Sequence, residues 1–325
     1  MNTHLRSIAA EQGGVVTRTQ ALQAGYAAAD IDDLVRRKAW VSLRRGTYME
    51  RDVHDALTDE TRHLARVHAV VRSLREPAVV SHVSAAVLHG LPTWGLDLSE
   101  VHVTRAQLHS PRHEAGVHHH AGDLRPDETV KVSGVRVTML PRTLIDVARV
   151  APFEPSVVVA DAALRADADI KEQALARLDT MRDWQGSRNA GAVLSFADGR
   201  SESVGESRCR VLFDDVGLPA PDLQREFHAP NGALIGRTDF YFEEQRTIGE
   251  FDGKGKYLRA MTPAGDSDQD SGEVVWREKK REDRLRELGY EVVRVITPDL
   301  DRPAQVAARF RQAFQRAEEL GGRVA

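Results

Sequence analysis

The sequence predicts a multidomain chain of α+β and α/β character, and three observations carry that expectation. The first 50 residues read as three short helices followed by a hairpin. Residues 78–185 alternate short β-like runs with helices. From 201 onward the order is helix, three strands, helix, strand, helix. At 325 residues the chain is long enough for two or three separate cores. The expected divisions are 1–52, a mixed α/β and helical middle at 53–185, and a sandwich-like domain at 200–325.

In the first segment, His4–Glu11 reads as a helix ended by Gly13 and Gly14. Thr17 is placed to cap a second helix over Arg18–Ala24, which Gly25 ends. Ala28–Lys38 is the third, with Ile31, Leu34 and Val35 on one face. Ala39–Met49 then reads as two strands around Arg44, Arg45 and Gly46. Helix–turn–helix followed by a hairpin is the outline of a winged helix–turn–helix, whose third helix enters the DNA major groove. Segment 34–49 holds Arg36, Arg37, Lys38, Arg44 and Arg45 and no acid. Those five are the expected DNA contacts, because clustered cations neutralise phosphates. The alternative for the same residues is a solvated face of a small helical domain.

Residues 51–72 read as a polar, helical connector. Ser81–His89 is a helix closed by Gly90 and Pro92. Strands are expected near 100–104, 116–121 and 129–138, a helix at Pro141–Val150, and longer helices across 154–184. His118, His119 and His120 fall on one of these strands. Alternation allows only His118 and His120 to share a ligand, and no neighbouring acid or cysteine completes a metal site, so a surface strand is expected. His82 and His89 lie seven apart on a helix, where packing or solvent is the expected environment.

The C-terminal pattern is the most informative. Helix 201–216 precedes strands near 222–228, 233–242 and 246–252, a helix at 273–288 stopped by Gly289, a strand at 290–296 and a last helix at 304–320. Asp239 and Glu250 are symmetric about the turn at Glu244 and Gln245. In an antiparallel hairpin centred there they face each other with Cβ atoms ~5 Å apart. Asp252 leaves the same face of its strand as Glu250. Facing like charges repel, so a fold that gathers three acids is expected to hold a cation between them. Mg²⁺ or Mn²⁺ suits oxygen ligands. With Glu206 leaning in from the leading helix, the metal ligands would be Asp239, Glu250 and Glu206. Such a metal polarises a phosphodiester and lowers the pKa of bound water. Lys254, Lys256 and Arg281 are placed to meet developing phosphate charge. The competing reading of the acids is a charged hairpin face in water.

Bulk properties exclude several classes. No apolar run approaches the ~18 residues of a membrane helix, and the N-terminus lacks an apolar signal core. The single Cys209 excludes an internal disulfide and a cysteine-based zinc cluster. A cytoplasmic location is expected. Net charge is −4, so DNA binding has to come from local basic patches.

Four C-terminal segments, Glu206-Ser-Arg, Arg237-Thr-Asp239-Phe, Gly249-Glu250-Phe-Asp252-Gly and Arg281 through Gly289 to Arg294, resemble the very-short-patch-repair-like branch of the PD-(D/E)XK nucleases. The resemblance covers about residues 200–300. It implies a restriction-endonuclease-like α/β sandwich and Mg²⁺-dependent cleavage, with Asp239 and Glu250 as metal ligands and Glu206 as the acid of the leading helix. Asp252 stands where that superfamily usually has lysine, and Lys256 is the replacement amine. Gly14-Val-Val-Thr-Arg-Thr-Gln-Ala, Leu43-Arg-Arg-Gly46-Thr-Tyr48, Ser84-Ala-Ala with His89-Gly-Leu-Pro92, and Pro141-Arg-Thr-Leu-Ile-Asp146 resemble AbiEi antitoxins of type IV toxin–antitoxin systems, over about residues 5–150. That resemblance implies a winged-helix DNA reader that represses its own operon and opposes a cognate toxin. The two expected functions are therefore a metal-dependent DNA endonuclease in defence or repair, and a transcriptional regulator or antitoxin whose nuclease fold only binds.

Overall fold

The computed structural model describes residues 1–74, 78–253 and 279–321. The chain divides into two compact units, Met1–Ala197 and Asp198–Ala325. Both mix helices and sheets.

The first unit opens with α1 (Thr3–Ala10), β1 (Val16–Thr17), α2 (Arg18–Gln23), α3 (Ala28–Arg36), β2 (Trp40–Arg44) and β3 (Thr47–Glu50). Thr17 and Gln20 form a reciprocal capping box that starts α2. β2 and β3 pair antiparallel, and the two-residue β1, too short to read from the sequence, adds to β3. Leu5, Val16, Ala21, Ile31, Trp40 and Tyr48 bury together beneath these elements. This is the helix–turn–helix and wing outline.

Two helices follow, α4 (Arg51–Asp55) and α5 (Asp59–Ser73). Ala65 and Ala69 of α5 pack on Val15 and Met49. A six-stranded mixed sheet then forms from β4 (Val79–Val80), β5 (Val101–Arg105), β6 (Arg112–Glu114), β7 (Val117–Ala121), β8 (Thr129–Val132) and β9 (Val135–Thr138), in the order β6-β7-β5-β4-β9-β8. α6 (His82–Leu88) connects β4 to β5. α7 (Leu140–Val150), α8 (Phe153–Ala166), α9 (Ile170–Asp179) and α10 (Ser187–Phe196) complete the unit.

Two sequence expectations are corrected here. The run 129–138 is a hairpin, turning at Ser133 and Gly134, both with positive φ; that is the two-residue turn that matches strand twist. The histidine strand is not a surface strand. β7 lies between β5 and β6, and His119 and His120 are buried.

A buried ion network ties α7 to its surroundings. Arg142 donates from Nε to both oxygens of the fully buried Asp146 at 3.0 Å, and from Nη1 to the Asp123 carbonyl at 2.9 Å. Glu128 sits 3.5 Å from Arg142 and also binds Arg177. This gives the Pro141–Asp146 segment a structural purpose.

In the second unit α11 (Val204–Asp215), β10 (Asp222–His228), β11 (Leu234–Phe242), β12 (Thr247–Asp252), α12 (279–287), β13 (Glu291–Ile296) and α13 (Pro303–Gly321) form a four-stranded sheet covered on both faces. The strand order is β10-β11-β12-β13, antiparallel except for the parallel β12–β13 pair. Alternation divides the side chains. Phe240, Phe242, Val293 and Val295 meet Phe213 of α11 and Phe310 of α13, while Tyr241 and Ile248 meet Leu285 of α12. The expected helix start at 273–278 lies outside the described residues. Among those described, no helix is long and apolar enough to cross a membrane.

Removing one partner of a buried pair leaves an uncompensated charge, at a cost of about 3–5 kcal/mol. Arg142→Met is therefore expected to destabilise the first unit by about that amount in urea unfolding. A change below about 1 kcal/mol would show that Asp146 and Glu128 are satisfied without it.

Candidate functional site

The basic edge of the first segment is built by local charge pairing. Asp33 on α3 binds both Arg36 and Arg37, the latter at 2.6 Å, so three charges leave a net positive one. Asp32 is held by Arg18 at 2.7 Å, and its carboxyl lies below its usual value because Arg18 donates to it. Asp30 accepts from the Ala27 amide at the start of α3. The acids of α3 are thus engaged by cations or by backbone. Arg36, Arg37, Lys38 and the wing-tip Arg45 are exposed. Lys38 ends the helix with φ 60°, and Arg44 donates to the Ala115 carbonyl at 3.0 Å. Arg44 is thereby anchored and half-buried, while the others face solvent.

In the second unit, β11 and β12 pair Phe240 with Gly249, Tyr241 with Ile248 and Phe242 with Thr247. The ladder ends there, and the next residue on each strand is Asp239 and Glu250. Oδ2 of Asp239 accepts the Phe251 amide at 2.8 Å, spanning the opening between the strands. Asp239, Glu250 and Asp252 line one cavity of about 130 Å³, with Arg281 and Arg294 in the same wall. Glu250 binds Arg281 at 2.6 Å and lies 3.8 Å from Arg294.

Two glycines make this arrangement possible. A Cβ on Gly236 would sit 2.7 Å from Cδ of Arg281, so only glycine lets that side chain cross β11 to reach Glu250. A Cβ on Gly205 would lie 1.8 Å from the Phe251 ring, so glycine also lets β12 seat its ring against α11.

Glu206 stands apart from the cavity wall. Ser203 caps α11, and the Glu206 carboxylate accepts from the Glu202 amide and the Ser203 hydroxyl, both at 2.8 Å, and from Gln224 at 2.9 Å. Gln224 reaches it from a left-handed backbone with φ 56°, a strained conformation of the kind found at functional sites. Burial pushes the carboxyls of Glu206, Asp239 and Glu250 above their ordinary values. Hydrogen bonds pull Glu206 and Asp239 back, and Arg281 does the same for Glu250. Among the described residues, these acids do not form a group of three donors within 4.8 Å of one another.

The structure therefore brings Asp239, Glu250, Asp252 and Arg281 together and holds Glu206 in a cap beside them. Lys254 and Lys256 lie outside the described residues. Arg294 was not legible as a site residue from spacing alone. It stands beside Glu250 through the parallel register of β12 and β13, which the long crossover conceals. Cys209 is buried, and its thiol is pushed up by burial, in keeping with an inert core residue.

Residues 5–51 match the family described as transcriptional regulator, AbiEi antitoxin. The AbiEi match coincides with the helix–turn–helix and wing, and it ends before the second unit begins. Two relatives from two strains of Mycobacterium tuberculosis, each named as an uncharacterized protein, are 32% identical over 192 residues. The alignment spans 59% of this chain and 66% of each relative, just under two thirds of their length.

The raised carboxyls give a signed pH prediction. With its folded pKa above the unfolded 3.8, Asp239 binds a proton more tightly in the native state. Its ionisation therefore opposes folding, at no cost below the unfolded value and in full above the folded one. Asp239→Asn is expected to raise the melting temperature of the chain at pH 7, with the gain fading as pH falls towards 4. Scanning calorimetry at several pH values checks this, and an equal or lower melting temperature at pH 7 would refute it.

Proposed function

We propose that this chain is a DNA-binding transcriptional regulator of the antitoxin type, with a cognate toxin as its protein partner. The observation that carries the reading is the coincidence of the AbiEi match with a winged-helix outline whose helix end and wing tip bear exposed cations. α3 would lie in the major groove, with Arg36, Arg37 and Lys38 at its end contacting phosphate and Arg44 and Arg45 bringing the wing to the backbone. These contacts set affinity and orientation rather than sequence choice.

A second reading is favoured by one observation, the convergence of Asp239, Glu250 and Asp252 with Arg281 and Arg294 on a single cavity. In that reading the second unit is a restriction-endonuclease-like domain that cleaves DNA. Asp239 and Glu250 would hold Mg²⁺ or Mn²⁺, with Glu206 behind them, and the ion would supply Lewis-acid polarisation and an activated water. The hold of Arg281 on Glu250 means that metal binding has to loosen that ion pair, and protons compete with the ion at these buried carboxyls. Arg281 and Arg294, in the same wall, would then turn towards phosphate charge, with Lys254 or Lys256 as the further amine.

Fluorescence anisotropy on duplex DNA across a salt series tests the first reading. Each lost phosphate contact lowers the slope of log affinity against log salt by about 0.9. Arg36→Ala/Arg37→Ala and Arg44→Ala/Arg45→Ala are each expected to lower it by up to ~2, and unchanged slopes in both would remove the winged unit as the reader. Adding Mn²⁺ to plasmid complexes separates the readings. Nicking abolished by Asp239→Asn supports the nuclease, and retained binding on intact plasmid supports the regulator alone.

A further inference from the structure

The middle of the first unit holds a histidine cluster that neither proposed function uses. His82 opens α6, His102 lies on β5 and His120 on β7, so three separate elements deliver three imidazoles to one place. One nitrogen from each lies within 4.8 Å of the other two. Nδ1 of His102 and Nε2 of His120 are 2.9 Å apart, close enough to share a proton. The His82 and His120 rings stack with centroids 3.5 Å apart.

We propose that His82, His102 and His120 form a binding site for a borderline divalent transition metal, with Zn²⁺ the ion that best fits three imidazoles. Two nitrogens held tetrahedrally at the 2.0–2.1 Å typical of Zn²⁺ lie roughly 3.3 Å apart. An ion replacing the shared proton therefore asks the His102 and His120 nitrogens to part by only a few tenths of an ångström, with the His82 nitrogen drawn in from within 4.8 Å. Mg²⁺ and Ca²⁺ are excluded by donor type, since they take oxygen. Three protein ligands leave a fourth position for water or another group.

Independent features support a built site. His82 has φ 52°, a left-handed conformation that strains a residue with a side chain, and the fold maintains it at a ligand position. Its Nδ1 contacts Ser81 Oγ at 2.9 Å, and Thr104 donates to that same oxygen at 2.7 Å, which fixes the ring and leaves its other nitrogen to the cluster. Such outer partners orient metal-binding histidines. Burial holds all three imidazoles neutral, the form that binds metal, with His102 lowered to about 4 and His120 to about 2. Arg142 and Arg149 lie near enough to act on His82, and Asp146 balances both.

The cluster continues towards the surface through further imidazoles. The exposed His113 lies 3.9 Å from His118, and His118 lies 3.8 Å from His120, by ring centroids. With His82 these rings form a column of four imidazoles from solvent to core. Glu100 binds His113 at 2.8 Å at the outer end, where Glu100, His113 and His118 form a second, more exposed donor group.

The test uses the full chain stripped with chelator and titrated with Zn²⁺ by calorimetry and with Co²⁺ by visible absorption. One tightly bound ion per chain is expected. His102→Gln and His120→Gln should each weaken it by ~100-fold or more, the upper end of what losing even an outer-shell partner costs. Asp239→Asn should leave binding unchanged, which separates this site from the carboxylate cavity. X-ray absorption of the zinc-loaded wild type does not depend on any variant folding, and it should show three imidazole ligands. Absence of binding, an oxygen-dominated shell, or loss of binding in His113→Ala but not in His102→Gln would overturn the proposal.

Discussion

Arginine held against a buried carboxylate is the interaction on which both compact units depend. In the first unit Arg142 reaches the fully buried Asp146 and ties α7 to the segment before β8. In the second, Arg281 crosses β11 at Gly236 and binds Glu250, joining α12 to the open end of the central hairpin. A carboxylate out of water is costly unless it is paired and hydrogen-bonded. Each arginine therefore fixes where its acid stands. The difference lies in what surrounds the pair. Asp146 is sealed among helices, whereas Glu250 borders a cavity, so one pair is architecture and the other can exchange partners.

The same rule explains how an acidic chain can offer a basic edge. The acids of α3 are engaged by Arg18, by Arg36 and Arg37, and by backbone, and the exposed surplus at the helix end and wing is positive. Net charge describes the whole molecule, while phosphate contact responds to charge within about a Debye length, ~8 Å at physiological salt. The winged segment thus fits a nucleic-acid partner despite the overall balance.

Features set by local sequence were legible. Thr17 announced the start of α2 because a cap and its reciprocal partner lie three residues apart. The register of β11 and β12 followed from the position of the turn, which places Asp239 beside Glu250 across a short connection. Non-local features were hidden. Nothing near Glu250 in sequence announces Arg294, because a parallel register passes through a long crossover. His82 was paired in sequence with His89 along one helix face, while its structural partners come from two strands of a sheet. A run of three histidines reads as an exposed strand unless its neighbours are known, and β5 and β6 supply them. Gly236 reads as a turn residue from the sequence but lies inside β11, and Gly205 lies inside α11; their task is to let Arg281 and Phe251 pass.

The acid cavity and the winged segment ask different things of one chain, cutting or reading. Reading is the more economical explanation, because the family match and the exposed cations fall on the same 47 residues, 5 to 51. The most direct measurement is a footprint of the full chain on the DNA upstream of its own reading frame, taken with chelator present to silence any cleavage. A discrete protected site that disappears when the wing cations are neutralised is the predicted result. Uniform, sequence-blind coverage, or no protection at all, would contradict it.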